Sequence, residues 1–343
     1  MKNPLLILLL IIQFLSSCES KNNEPDPLFP AGDGFFILNE GNFMAGNGSI
    51  SFYSHETADI YNGLFASKNG RSLGDVPTFM AQDGSRGFII VNNSGTIEVI
   101  DMKTMESLAT ITGLDSPRRM VIDGEKAYVS SLSSDAITII DVGDLTVEGT
   151  IDAGCCTEAL AVSGNRLFAA HWAGGNSIRV IDLETEQVIR TITTGLEPES
   201  MVLDCNGKLW VLCTGGYMNE EVPGLYRINT ATLEIEAMLP FRTLFDNPSS
   251  LAVNKGGDTL FYIDEGIRRM PVTAVELPSA PFITSDGRLL YKLAVSPYNS
   301  MICVTDAIDY QQKGDLLVFS SKGILVDTEQ AGIIPGYMYY VSD

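Results

Sequence analysis

The stretch Pro117-Arg118-Arg119-Met120-Val121-Ile122 is followed by the turn Asp123-Gly124 and then by a β-rich run, Ala127–Ser131. The same text returns along the chain. Related segments begin at Pro77, Thr157, Pro198 and Pro248, so successive starts from Pro77 through Pro117 onward differ by 40, 40, 41 and 50 residues. A polar turn follows each, as in Asp83-Gly84, Ser163-Gly164, Asn206-Gly207 and Gly256-Gly257. A third run comes next (Thr96–Asp101, Ala136–Asp141, Ser177–Asp182, Gly224–Asn229), then a fourth, such as Leu108–Thr112 or Val188–Thr193. Alternation like that of Ile178-Arg179-Val180-Ile181-Asp182 fits strands, and the runs are too short and too β-branched for helices. Four short strands in about 40 residues is the signature of a β-propeller blade.

The second strands number seven: Phe35–Asn39, Gly87–Val91, Ala127–Ser131, Arg166–Ala170, Lys208–Cys213, Thr259–Asp264 and Ser300–Thr305. Blade one has no first strand ahead of it. Pro335-Gly336-Tyr337-Met338-Tyr339-Tyr340 aligns with the Pro117 segment, which predicts that the C-terminal strand completes blade one. Such closure removes free sheet edges. The expected fold is therefore all-β: a seven-bladed β-propeller of four-stranded blades over 34–343. Blade six is the least regular, because Arg268–Ile283 lacks a clean third strand.

Residues 1–17 read as a lipoprotein signal peptide. Lys2 gives a positive start, and Leu5–Leu15 is an apolar run too short to span a bilayer. The run ends in Leu15-Ser16-Ser17-Cys18, which predicts lipidation of Cys18. Residues 18–33, polar and carrying three prolines, read as a lipid-anchored flexible tether. The expected location is the cell envelope, as an outer-membrane lipoprotein exposed at the surface. The chain has 22 Lys and Arg against 43 Asp and Glu, a net charge of −21, which argues against nucleic acid as a partner. Its two histidines, His55 and His171, are too few for a His-based zinc or iron centre, while oxygen-ligand sites stay open. Cys155, Cys156, Cys205, Cys213 and Cys303 are odd in number and form no dense disulfide framework.

In a four-stranded meander, the loop leading into each first strand shares a face with the loop after each second strand. That face is predicted to carry the ligand site at the channel mouth. It collects the aromatics Phe43, Trp172, Tyr217, Tyr310 and Tyr337 among Gly-rich neighbours. The same loops supply Asn39, Asn92, Asn93, Asn176, Glu158 and Glu199 as polar partners, together with Arg118. The opposite face has shorter turns, read as turn chemistry. Enzyme motifs are lacking: there is no G-x-S-x-G, no H-E-x-x-H and no phosphate-cradling glycine loop. The expectation is a non-enzymatic chain without catalytic residues, metal or cofactor. A calcium cage built from Glu158, Glu199 and Asp246 is the enzymatic alternative.

Units such as Ala136-Ile137-Thr138-Ile139-Ile140-Asp141 and Pro117-Arg118-Arg119-Met120 resemble the YncE-like seven-bladed propellers, over about 35–341. Ile37-Leu38-Asn39-Glu40-Gly41-Asn42-Phe43 and Asn47-Gly48-Ser49-Ile50-Ser51-Phe52-Tyr53, with the Cys18 motif, look like the propeller lipoproteins of Bacteroides-type bacteria. That group includes the BtuG-type surface proteins. The resemblance implies capture of a small molecule, with cobalamin foremost, and its transfer to a TonB-dependent outer-membrane transporter. A propeller-type metal-dependent lactonase and a protein–protein interaction scaffold are the alternatives.

Overall fold

The computed structural model describes Phe29 and residues 32–341. The signal peptide and Cys18 lie outside the described residues. Seven four-stranded antiparallel sheets form the molecule. Blade two, for example, runs Pro77–Asp83, Arg86–Val91, Thr96–Asp101 and Ser107–Ile111. The ring closes as the repeat requires. Strand Pro335–Val341 pairs with Gly34–Asn39, with Gly34 opposite Val341, Phe35 opposite Tyr340 and Ile37 opposite Met338. Phe29, assigned above to the tether, is buried against Phe36 and Phe52, with ring centroids 5.5 and 4.8 Å away.

The core is split into seven apolar clusters, one between each pair of neighbouring blades. This explains runs such as Phe88-Ile89-Ile90-Val91. Phe88 and Ile90 pack toward blade three, while Ile89 and Val91 pack toward blade one. A strand covered on both faces has no polar side to alternate with.

Blade six departs from the expectation. Its third strand is present as Gly266–Pro271, paired along its length with Thr259–Ile263. The irregular element is the fourth strand, reduced to Ile283–Thr284. Pro271 ends the third strand, Pro278 and Pro281 lie in the intervening segment, and none of the three can donate a ladder hydrogen bond. One short helix, Leu64–Asn69, links blades one and two and buries Leu64 and Phe65.

The first strand of each blade borders the central axis. In six of the seven blades its register slips near the start, as between Pro77 and Phe79, Pro117 and Met120, or Pro198 and Ser200. A bulge puts two residues against one and re-aims side chains. Consecutive residues such as Arg118 and Arg119 therefore both reach toward the axis.

Candidate functional site

Two layers of side chains cross the axis below the loop-rich face. In the upper layer, Arg118 Nε donates to Glu158 Oε2 at 2.5 Å and its Nη2 donates to Oε1 at 3.1 Å. Burial works against the Arg118 charge, but Glu158, aided by Glu40 and Tyr291, outweighs it and holds the proton more firmly than usual. On the other side Tyr291 donates its hydroxyl to Glu40 Oε1 at 2.7 Å. Burial, then Glu40, pushes the Tyr291 phenol well up, so it stays a donor. Gly336 lies against this pair: a Cβ there would stand 2.8 Å from Glu40 Oε1.

The lower layer holds Arg119, Glu199 and Lys292. Arg119 lies 5.5 Å from the Phe79 ring centre and 5.9 Å from that of Tyr337, and gives Thr78 O a 2.8 Å bond. Lys292 Nζ donates to Glu199 Oε1 at 3.2 Å, and Ser250 N donates to Oε2 at 3.1 Å. Burial alone would raise the Glu199 pKa. Lys292, backed by Ser200, the Ser250 N–H and Arg119, reverses this and holds the carboxyl below the usual range.

Below this layer lies an axial cavity of about 570 Å³. Its lining turns apolar along Val202, Val253 and Val295 and ends at Pro297 and the exposed Tyr298, in the turn after the first strand of blade seven. The cavity thus reaches solvent on the short-turn face. Toward the loop-rich face, the Arg118–Glu158 and Tyr291–Glu40 pairs lie above it.

Of the residues singled out from sequence, Glu199 and Tyr337 line this cavity. Arg118 and Glu158 belong to the layer above it. Trp172 is half-buried, with the Arg118 guanidinium 5.9 Å from its ring centre. Tyr310 packs edge-on against Tyr291, centroids 5.5 Å apart. Phe43 and Tyr217 stand free in solvent, 69% and 87% exposed. Among the described residues no two of the five aromatics stack on each other. Asn39 is inside blade one, where it donates to Ser49 and Ser51 at 3.1 and 2.9 Å and accepts from Gly332 N. Asn92 ties blade two to blade three through Pro117 O at 3.0 Å. Asn93 donates to Asp75 at 2.5 Å, and exposed Asn176 receives Thr194 N on its carbonyl. Glu158, Glu199 and Asp246 stay apart, with Asp246 bonded to Arg242 N and Thr243 N. Among the described residues no three His, Cys, Asp or Glu side chains gather as a metal set. The five cysteines there are free thiols.

Sequence reading passed over Phe79, Tyr291, Lys292 and Tyr298. The repeat carries a signal for Phe79, Tyr291 and Lys292, though not for Tyr298. Aligned on Met120, Leu251 and Leu293, the positions of Arg118 and Arg119 correspond to Tyr291 and Lys292.

Residues 33–327 match the family described as a domain of unknown function, DUF5074. The chain belongs to that family. No curated protein matches it by sequence. Among solved structures, it resembles a quinonprotein alcohol dehydrogenase-like protein of Bacteroides thetaiotaomicron at 13% identity and a TM-score of 0.72, covering 92% of this chain and 79% of that one. A Bacteroides uniformis protein named as a candidate 6-phosphogluconolactonase gives 12% identity and a TM-score of 0.66, over 90% of this chain and 100% of that one. A functionally unknown protein of Desulfotomaculum acetoxidans gives 15% and 0.69, over 90% and 99%. These likenesses concern the DUF5074 propeller's fold alone.

Proposed function

We propose that this DUF5074 propeller is a ligand-capturing protein, and that its ligand lodges in the axial cavity. The observation that supports this reading is the cavity itself: about 570 Å³, with charged groups at one end and apolar walls leading to solvent at the other. Small-molecule sites have this size and this sparse placement of polar groups. The reading includes an envelope location through a lipidated Cys18 and delivery to a membrane transporter, both expectations carried by the N-terminal sequence and the resemblance.

Corrinoid capture on the loop-rich face is a second reading. Exposed Phe43, Tyr217 and Tyr310 favour it. Cobalamin, broad and studded with amides, suits a wide rim better than the axial cavity.

Ala252, which lines the cavity, gives the test. Native mass spectrometry of protein prepared from membranes is expected to find a bound small molecule in the wild type and none in Ala252→Trp. Calorimetry with cyanocobalamin separates the two readings. Binding that survives Ala252→Trp but is lost in Tyr217→Ala moves the site to the rim. If neither measurement finds a ligand, capture is the wrong function.

A further inference from the structure

The charged groups that line the inner end of the cavity carry one excess positive charge. Arg119 and Lys292 supply two cations, while Glu199 supplies one carboxylate. Glu158 is committed to the two-point contact with Arg118, and Arg119 reaches it at 3.3 Å. Glu199 is shared between Lys292 and the Ser250 N–H. The layer above holds one cation, Arg118, and two carboxylates, Glu158 and Glu40, the latter accepting from Tyr291. An ammonium has three donors and a guanidinium five. Lys292 gives one to Glu199, and Arg119 uses its two terminal nitrogens on Thr78 O and Glu158. Both retain donor capacity beside the cavity.

We infer that the cavity takes an organic monoanion: a carboxylate on an apolar body, with the carboxylate held by Lys292 and Arg119 and the body lying along the valine-lined wall toward Tyr298. This rests on the cavity being the binding site. Lys292 and Arg119 face the cavity with a single lining carboxylate, Glu199, and a monoanion gives these partly desolvated cations a second anionic partner. A cationic head would meet Lys292 and Arg119 and be repelled. An uncharged head could accept hydrogen bonds from both but would bring no opposite charge, and so would bind more weakly. The chain's net charge of −21 acts against anions at long range, but salt screens that field over about 8–10 Å. Selection then falls to the close contacts.

Three probes with one apolar body test the charge: naphthalene-2-carboxylate, naphthalene-2-carboxamide and 2-naphthylmethylamine. Calorimetry on the folded protein is expected to rank them in that order, with at least about tenfold between the first and the last. Glu199→Gln removes the competing carboxylate and is expected to tighten the anion several-fold, a gain that a merely damaged cavity would not give. Adding Lys292→Met to Glu199→Gln is expected to reverse that gain, and to weaken the carboxylate more than the carboxamide. If the amine or the carboxamide binds as well as the carboxylate, and Ala252→Trp blocks all three, the anion assignment is overturned while the cavity stands as the site. If none of the three binds at millimolar concentration, both are overturned.

Discussion

Removing the Glu158 carboxylate leaves two guanidinium groups beside the axis without their counter-charge. Its side chain is 4% exposed, and those of Arg118 and Arg119 are each 18% exposed. Breaking a fully buried ion pair costs about 3–5 kcal/mol, and the partial exposure of the arginines lowers this, so Glu158→Gln is expected to cost about 2 kcal/mol in urea unfolding. The double variant Glu158→Gln with Arg118→Met should recover part of that loss. Equal stability of wild type and Glu158→Gln would show that solvent already screens the pair. The partnership was legible in outline. Arg118 and Glu158 lie 40 residues apart, one repeat, so they occupy matching places on adjacent blades. The Lys292–Glu199 pair lies 93 residues apart and skips a blade. Its formation depends on how far a side chain reaches across the axis, which periodicity does not encode.

The turn between third and fourth strands recurs as a local device. In the segments after Asp101, Asp141, Asp182 and Asn229, the side-chain oxygen accepts backbone N–H groups two or three residues on. The fourth following residue then takes a left-handed conformation: Met105, Leu145, Glu186 and Leu233 all have φ between 56° and 63°. Asp and Asn suit this because a short acceptor can close onto its own backbone. Asp182→Ala is expected to lower the midpoint of thermal or urea unfolding, as loss of other side-chain caps of backbone donors does. The N–H and hydroxyl of Thr185 depress the Asp182 pKa, and hydrogen bonds from Thr104 do the same for Asp101 against the opposing effect of burial. A carboxyl with a lowered folded pKa adds stability above its unfolded value, near 3.8, and loses it as pH falls through the folded value. The stability difference between wild type and Asp182→Ala should therefore shrink as acid is added below pH 4. A difference unchanged down to pH 2 would exclude the carboxylate as its source. This motif shows in the text as Ile-Asp or Ile-Asn closing the third strands of blades two to five. By contrast, the bulges that turn Arg118 and Arg119 to the axis leave no residue signature of their own. Asn39 and Asn92 looked like loop residues because they end strands. Their burial follows from hydrogen bonds to residues 10 to 293 positions away.

Across the whole ring, stability is shared among seven inter-blade clusters. The cluster between blades seven and one includes Phe35, Ile37, Cys303, Leu316 and Met338, and so needs the closing strand. Truncation before Pro335 would remove that strand, bare the edge of Gly34–Asn39 and open one cluster to water. The truncated protein is expected to lose several kcal/mol of unfolding free energy, about 25 cal/mol for each Å² of apolar surface uncovered, and to aggregate on light scattering. A truncated chain that melts like the full one would mean that closure adds little. Blade number and closure were readable because a repeat states its own period and its own missing piece.

The pairing of Gly34 with Val341 also sets an order in time. A ribosome makes the strand Gly34–Asn39 about 300 residues before its partner Pro335–Val341. At roughly 5–20 residues per second, the interval is on the order of 15–60 s. Throughout it, a six-residue strand destined for complete burial has one neighbour in blade one but no partner on its other edge. Spontaneous helix and hairpin formation is over within microseconds, so the other blades have ample time to settle while this one waits. Completion of the ring thus waits until the last strand of the propeller has been made. During that interval the nascent chain offers an apolar ladder to any passing β-strand, which makes a holding chaperone most useful at blade one.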